Sequence, residues 1–448
     1  MGITGRRHQE IYDLVGIGFG PSNLSLAIAL EEHGASAPQH PVKSHFFERQ
    51  PTFGWHRNML LPSTTMQISF LKDLVTFRNP LSRFSFISFL HASNRLVQFV
   101  NNQDFFPTRH EFHQYLEWAA GSLQDQVTYG AEVTSIRPVA ESGAGAPDVL
   151  EIEVRESDGL THVVTARNVA ISTGLVPRLP EGMPADERVW HSSEFLGRFN
   201  AQAPEDLKSV AVVGAGQSAA EITRFLYDSL PHAQVSAILP SYGYSIADDT
   251  PFANQVFDPG AVDEYFFGTE QAQDAFWRYH RNTNYSVVDA DVIRSLYQRA
   301  YDEQVRDSRR LHFRNLTRVT EVKTAGTGKR VVLRSLLDDR TEELAVDALV
   351  FATGYDCVDP ARLLGDFDRH FQRDAAGRHR VERDYRLVPA SGLTCGVYLQ
   401  GGTEHSHGLS SALLSNIAVR SGEIADSIML GRAGRELERP VEEATAAA

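Results

Sequence analysis

Asp13-Leu14-Val15-Gly16-Ile17-Gly18-Phe19-Gly20-Pro21-Ser22-Asn23 and Ser209-Val210-Ala211-Val212-Val213-Gly214-Ala215-Gly216-Gln217-Ser218-Ala219-Ala220-Glu221 are the two stretches that decide the fold. Each begins as a short apolar run that reads as a strand and opens an amphipathic stretch that reads as a helix. A glycine turn between strand and helix lets the backbone approach a pyrophosphate, and the helix N-terminus offers free N–H groups and a favourable dipole to the phosphate charge. One such turn is a weak signal. Two of them, about 200 residues apart, imply two dinucleotides on one chain, and a flavin with a nicotinamide cofactor is the usual pairing. In the first turn Gly16, Gly18 and Gly20 carry the fingerprint, with Pro21 where a third glycine is expected. In the second, Gly214, Ala215, Gly216, Gln217 and Ser218 do so. Ser44-His45-Phe46-Phe47-Glu48-Arg49 reads as the strand that follows the first helix. An acid at such a strand end, here Glu48, accepts hydrogen bonds from the adenosine ribose.

The length of 448 residues suits two to three domains, and 42% hydrophobic residues suffice for a large core. Lys+Arg 43 against Asp+Glu 57 leaves a net charge of −14, which argues against nucleic acid or an anionic membrane as a partner. The two cysteines, Cys357 and Cys395, form no Cys-x-x-Cys and read as buried free thiols. The polar start and the Gly, Pro, Ser and Asn that interrupt the apolar run Leu14–Leu30 argue against a membrane span and for a cytoplasmic, soluble protein. His405 and His407 invite a metal reading, but no other His, Asp or Glu cluster has metal spacing, so no metal is expected.

The expected class is α/β, with two Rossmann-like dinucleotide-binding domains, the second inserted in the first, and a small, mostly helical substrate-binding region. The first domain is assigned to residues 11–176 and 346–427. The second spans 205–345, with a substrate region at about 241–301. Strands are expected at Val127–Ile136, Leu150–Glu156, His162–Ala166, Asn168–Gly174, Leu311–Val319 and Val331–Leu336. Two matching endings, Thr173-Gly174 and Thr353-Gly354, bracket the inserted domain. Residues 53–118 are aromatic-rich, lack clear periodicity and read as a cofactor-covering insertion. Residues 432–448 are charged and Ala-rich and read as a disordered tail.

Further stretches narrow the family. They are Trp55-His56-Arg57-Asn58-Met59-Leu60-Leu61-Pro62, Met66–Thr76, Phe106-Pro107-Thr108-Arg109-His110-Glu111-Phe112, Pro251–Pro259, Asn282-Thr283-Asn284-Tyr285-Ser286-Val287-Val288-Asp289, Ala352-Thr353-Gly354-Tyr355 and His407–Ser415. In this order they resemble the flavin-dependent N-hydroxylating monooxygenases that act on the side-chain amine of ornithine or lysine. The resemblance runs from about residue 11 to 427. It implies FAD contacts from Glu48–His56 (Trp55 and His56 included), Gln67, Val133, Ala412, Leu413 and Leu414. It implies NADPH contacts from Ala215–Ser218, Tyr285 and Ser286. Substrate would be met by Lys72, Gln67, Asn254, Phe257, Asn284 and Ser415. Of these, Asn284, Lys72 and Ser415 are the residues on which positioning for catalysis would rest. The chemistry agrees: a cation in an apolar run can hold an amino acid α-carboxylate, and neutral amides and hydroxyls can orient an amine without repelling it.

The resemblance further implies hydride transfer from NADPH to FAD, an oxygen adduct at flavin C4a, attack by the neutral amine and a homotetrameric assembly. Ornithine is favoured over lysine because Lys72 and Asn282–Ser286 look most like the ornithine branch. Hydroxamate siderophore synthesis, or another use of hydroxyornithine, would follow. The sequence departs from wider patterns in three places. Pro240-Ser241-Tyr242 stands where some members carry an arginine toward the NADPH adenosine. Gln400-Gly401-Gly402-Thr403 replaces the Gly-Asp of disulfide reductases. Ala185 stands six residues before His191, so the Phe-x-Gly-x-x-x-His signature of Baeyer–Villiger enzymes is absent.

Overall fold

The computed structural model describes residues 11–36, 41–139, 147–390 and 392–438. Two five-stranded parallel sheets form its frame. The first runs Gly396–Leu399, Asn168–Ile171, Leu14–Ile17, Ser44–Glu48, Val127–Tyr129 across the sheet. The second runs Val189–His191, Ala348–Phe351, Ser209–Val213, Gln234–Ile238, Leu311–Arg314. Leu14–Ile17, Asn168–Ile171, Ala348–Phe351 and Gly396–Leu399 are buried along their whole length. Apolar strands without alternation need cover on both faces, and both sheets have it. Helices Pro21–Ser36 and Ile417–Glu438 pack together over the first sheet, with Leu24, Ile28, Ile424 and Ile428 in one core. On its other face the antiparallel strands Ala131–Pro138, Leu150–Glu156 and Thr161–Ala166 bring Ile136, Ile152 and Val154 against Val15, Ile17 and Phe47. The second sheet repeats the plan. Helices Gln217–Ser229 and Ala290–Val305 cover one face, and the antiparallel Thr317–Ala325, Gly328–Ser335 and Thr341–Val346 the other.

Between Ile171 and Tyr355 the chain builds the second sheet and then returns to the first. Segments Leu175–Pro177 and Tyr355–Cys357, just after the two Thr-Gly endings, pair antiparallel. Gly174 (φ +72°) and Gly354 (φ +84°) make the turns into them. Arg178 Nε donates to Asp356 Oδ1 at 2.8 Å, and the Thr353 hydroxyl donates to the Arg178 carbonyl.

Several expectations need correction. Leu311–Val319 is not one strand. Leu316 sits in the left-handed region (φ 48°), and the chain there passes from the edge of the parallel sheet into the antiparallel one. Residues 53–118 are not irregular throughout: Phe86–Ala92, Leu96–Asn102 and Arg109–Gly121 are helices packed around Phe86, Phe89, Phe112 and Tyr115. Residues 432–438 continue the helix Ile417–Glu438 instead of a disordered tail, and 439–448 lie outside the described residues. Neither cysteine is in a disulfide, but only Cys395 is buried; Cys357 ends the exposed paired segment. Among the described residues no helix is long and apolar enough to cross a membrane.

Candidate active site

The two glycine turns superimpose in logic but not in the register expected from sequence. Gly18 (φ +81°) and Gly214 (φ +142°) are equivalent. A Cβ on either would lie 2.4 Å from the Ser172 carbonyl oxygen or 2.5 Å from that of Ala352, the residues just before the two Thr-Gly endings. Gly20 and Gly216 follow, the first with open space where its Cβ would be. The third position is then Asn23 in one turn and Ala219 in the other, not Pro21. Gly16 lies within its strand, where a Cβ would collide with the Phe46 ring at 2.1 Å, so its lack of a side chain serves packing and not the turn. Pro21 is the first residue of the helix, where a missing N–H costs nothing. Asn23 is fully buried and donates to the Gly18 carbonyl at 2.7 Å, while its own oxygen accepts from Gln400 Nε2 at 2.7 Å. Glu48, 7% exposed, accepts from the Phe19 N–H at 2.7 Å and the Gln50 N–H at 2.9 Å. It therefore holds the turn.

The surroundings of the first turn fit an anionic ligand. Arg420 is wholly buried beside the start of the Pro21 helix. Its Nη2 donates to Ser22 Oγ at 3.0 Å, its Nη1 to the Ser411 carbonyl, and its Nε has no partner. A guanidinium at a helix N-terminus opposes the dipole, and no carboxylate lies within ion-pair distance of it among the described residues. A diphosphate at the turn would balance both.

A cleft wall follows. Crowding by the surrounding protein, with Arg109 nearby, lowers the pKa of the His56 imidazole, which still reaches solvent. Trp55 meets His56 edge to face at 4.7 Å, and Tyr355 stands 6.5 Å from His56. Gln67 donates to Asp289 Oδ1 at 3.0 Å, and Gln217 donates to Asp289 Oδ2 at 2.7 Å. Glu221, buried on the helix after the second turn, takes both Arg109 Nη atoms at 2.9 Å. Residues from the first unit thus reach the second turn through Asp289 and Glu221. Sequence reasoning gave Arg109, Glu221 and Asp289 no role.

On the far side, the helix Pro259–Phe266 packs on Glu404–His407 and the turn Gln255–Phe257 on Leu409–Ala412, with Pro251–Asn254 and Glu270–Asn284 packed beside them. Lys72 Nζ lies 5.8 Å from the centre of the Phe257 ring. Burial lowers its pKa, and Asp258 partly offsets this. No carboxylate pairs with Lys72 among the described residues. Asn254 donates its amide to the Asp249 carbonyl at 2.7 Å and so also caps its loop. Asn284 ends its helix half-buried, and Ser415 is buried in the turn Leu414–Asn416. The Tyr285 hydroxyl donates to Glu404 Oε1; burial pushes that phenol well above its ordinary range and also raises the Glu404 carboxyl. Ser286 (φ 60°) approaches the second turn, 3.8 Å from where a Gly216 Cβ would be.

A family model for L-lysine 6-monooxygenase/L-ornithine 5-monooxygenase matches residues 10–357. The chain belongs to that family. An L-ornithine N(5)-monooxygenase of Pseudomonas aeruginosa is 39% identical over 426 residues, covering 93% of this chain and 94% of that one. Among solved structures, the ornithine N-hydroxylase of Kutzneria sp. 744, with reduced FAD, NADP+ and L-ornithine, is 57% identical at a TM-score of 0.90, covering 94% of this chain and 100% of that one. An L-lysine 6-monooxygenase from Pseudomonas syringae is 31% identical at 0.81, covering 94% and 99%.

Other residues singled out for the family are placed less directly. Val133 is buried in the core beneath the first sheet, at a bulge before Ser135. Leu413 and Leu414 are half-buried, and Leu414 packs against the first core; the Ala412 side chain lies outside the described set. Ala215 and Ser218 flank Gly216 and Gln217 in the second turn, half-buried. Beside Pro240–Tyr242, Arg314 on the adjacent strand is engaged by Glu342. His405 and His407 do not converge: their Nε2 atoms meet the carbonyls of His379 at 2.8 Å and Arg383 at 3.2 Å.

Proposed function

We propose that this protein hydroxylates the side-chain amine of L-ornithine, consuming NADPH and O2 and releasing N5-hydroxy-L-ornithine, NADP+ and water. The observation that carries the reading is Lys72, a partly desolvated cation with no ion-paired carboxylate among the described residues, facing Phe257 in a chain with ornithine-hydroxylating relatives. The two sheets are then Rossmann-like units, the second inserted in the first. The turn Gly18–Gly20 with Glu48, Trp55, His56, Gln67, Val133 and 412–414 serves FAD. The turn 214–218 with Tyr285 and Ser286 serves NADPH. Flavin reduced by NADPH supplies the activation of O2.

The protein's own residues do the rest. Lys72 holds the α-carboxylate and so fixes the far end of the substrate. Asn254, Phe257, Asn284 and Ser415 line the path to the amine. A desolvated pocket that offers the amine amides and hydroxyls lowers the amine pKa, which leaves its lone pair free to attack. The hydroxylamine product suits a hydroxamate siderophore or a related metabolite.

The test is hydroxylamine formation with NADPH from ornithine and lysine side by side. Product from ornithine alone supports the reading. Product from lysine alone moves the substrate by one methylene, a difference worth about 1–3 kcal/mol in a pocket. NADPH oxidation that yields only peroxide with both amines overturns the substrate assignment.

A further inference from the structure

Asp289 directly precedes the helix Ala290–Val305, the position at which an aspartate ordinarily caps its own first turn. It makes no such cap. Oδ1 instead accepts from Gln67 Nε2 at 3.0 Å and Oδ2 from Gln217 Nε2 at 2.7 Å, while the Asp289 N–H donates to Gln217 Oε1 at 2.8 Å. These partners are 222 and 72 residues away in the chain. Gln217 is the first helical residue after Gly216, and its Nε2 is shared with Glu221 Oε1 at 2.9 Å. Glu221 carries the bidentate pair with Arg109, whose Nη1 also donates to the Met59 carbonyl at 2.9 Å. The orientation of the Gln217 amide is settled by its neighbours: the Asp289 N–H needs an acceptor and the two carboxylates need a donor.

An aspartate that gives up its own cap to tie two glutamines together is doing something other than stabilising its helix. Gln67 belongs to the first unit, where the family resemblance assigns it to FAD, and Gln217 follows Gly216 in the second turn. We propose that Asp289 is a positioning residue that couples the two dinucleotide sites, so that occupancy of one strengthens binding at the other. This rests on the two-cofactor reading above. The physical basis is ordering. A ligand at the second turn fixes Gln217, hence Asp289, hence Gln67, and a ligand at the first turn then meets a side chain already held in place. The coupling is reciprocal and typically amounts to about five- to 150-fold.

The experiment uses the FAD-loaded, full-length enzyme. Release of FAD into excess buffer is followed by flavin fluorescence, with and without saturating NADP+. In the wild type NADP+ slows release about fivefold or more. In Asp289→Ala, NADP+ still binds by direct titration but no longer slows release. Gln67→Leu cuts the same link from its other end and leaves Asp289 intact, so it loses the NADP+ effect as well, even if the Asp289 variant fails to fold. If NADP+ slows release equally in wild type and in the variants that fold, or in none of them, the inference is overturned. A wild-type protein that binds neither FAD nor NADP+ would instead overturn the two-cofactor reading.

Discussion

Replacing Lys72 by methionine keeps the apolar stem and removes the charge. Among the described residues no carboxylate forms an ion pair with Lys72, which sits beside Phe257 with a pKa lowered by burial. A substrate carboxylate brought there loses water and gains one charge-assisted hydrogen bond, worth about 1.5–3 kcal/mol. At about 1.4 kcal/mol per factor of ten, the variant should lose about ten- to 150-fold in kcat/KM for ornithine. The contact is the same in the ground and transition states, so the loss should fall on KM and leave kcat nearly unchanged. Lys72→Arg should not rescue fully, because a planar fork does not fill the place of a compact ammonium. The assay is hydroxylamine production across an ornithine series, with 1,4-diaminobutane as a control that lacks the carboxylate. Wild type should prefer ornithine strongly, and the variant should treat the two amines almost alike. NADPH-driven flavin reduction without substrate should be unaffected. An ornithine KM within threefold of wild type, or an equal loss with the diamine, would refute a carboxylate-binding role.

Gly18→Ala and Gly214→Ala each place a Cβ against a carbonyl oxygen at positive φ. The first should abolish yellow FAD absorbance. The second should leave the protein yellow but unable to be bleached by NADPH, as an anaerobic titration would show. Glu221→Ala strands Arg109 in a part-buried site and should cost about 3–5 kcal/mol, read as a lower denaturant midpoint, whereas Glu221→Gln should cost less. The fully buried His407 has its imidazole pulled down to about 3 by burial, from the ordinary 6.5. The unfolded chain therefore binds a proton that the folded one refuses, so stability is full above 6.5 and is lost as the pH falls below it. At pH 5 the loss is about 2 kcal/mol. Denaturant melts at pH 7 and 5 should show it, and His407→Asn should shrink the difference.

The glycine turns were legible because positive φ and close carbonyls leave no other residue type. Their register was not, because Gly16-Ile17-Gly18-Phe19-Gly20 contains two overlapping Gly-x-Gly pairs, and only the folded chain separates them, by the Phe46 ring above Gly16 and the positive φ of Gly18. The aromatic segment hid its helices because its core is a cluster of rings and not a stripe with helical period. Even so, Thr108 and Glu111 mark one start, with the Glu111 N–H donating to Thr108 Oγ1 at 3.1 Å. Lys72 and Asn284 could be named from the family pattern. The Gln67–Asp289–Gln217 bridge could not, since its members are distant in the chain and leave no local signal.

The order of strands in the first sheet has a consequence for biosynthesis. Its edge strand Gly396–Leu399 pairs with Asn168–Ile171, so the sheet stays unfinished while more than two hundred further residues are made. The strands of the second sheet all lie between Val189 and Phe351 and are complete well before that. On the ribosome the usual N-terminal-first order is therefore reversed. The unit around the second sheet can close first, and the unit around the first sheet must keep an open, apolar edge until Gly396–Leu399 emerges. A flavin that arrived early would meet half a site, so its capture belongs to the end of synthesis.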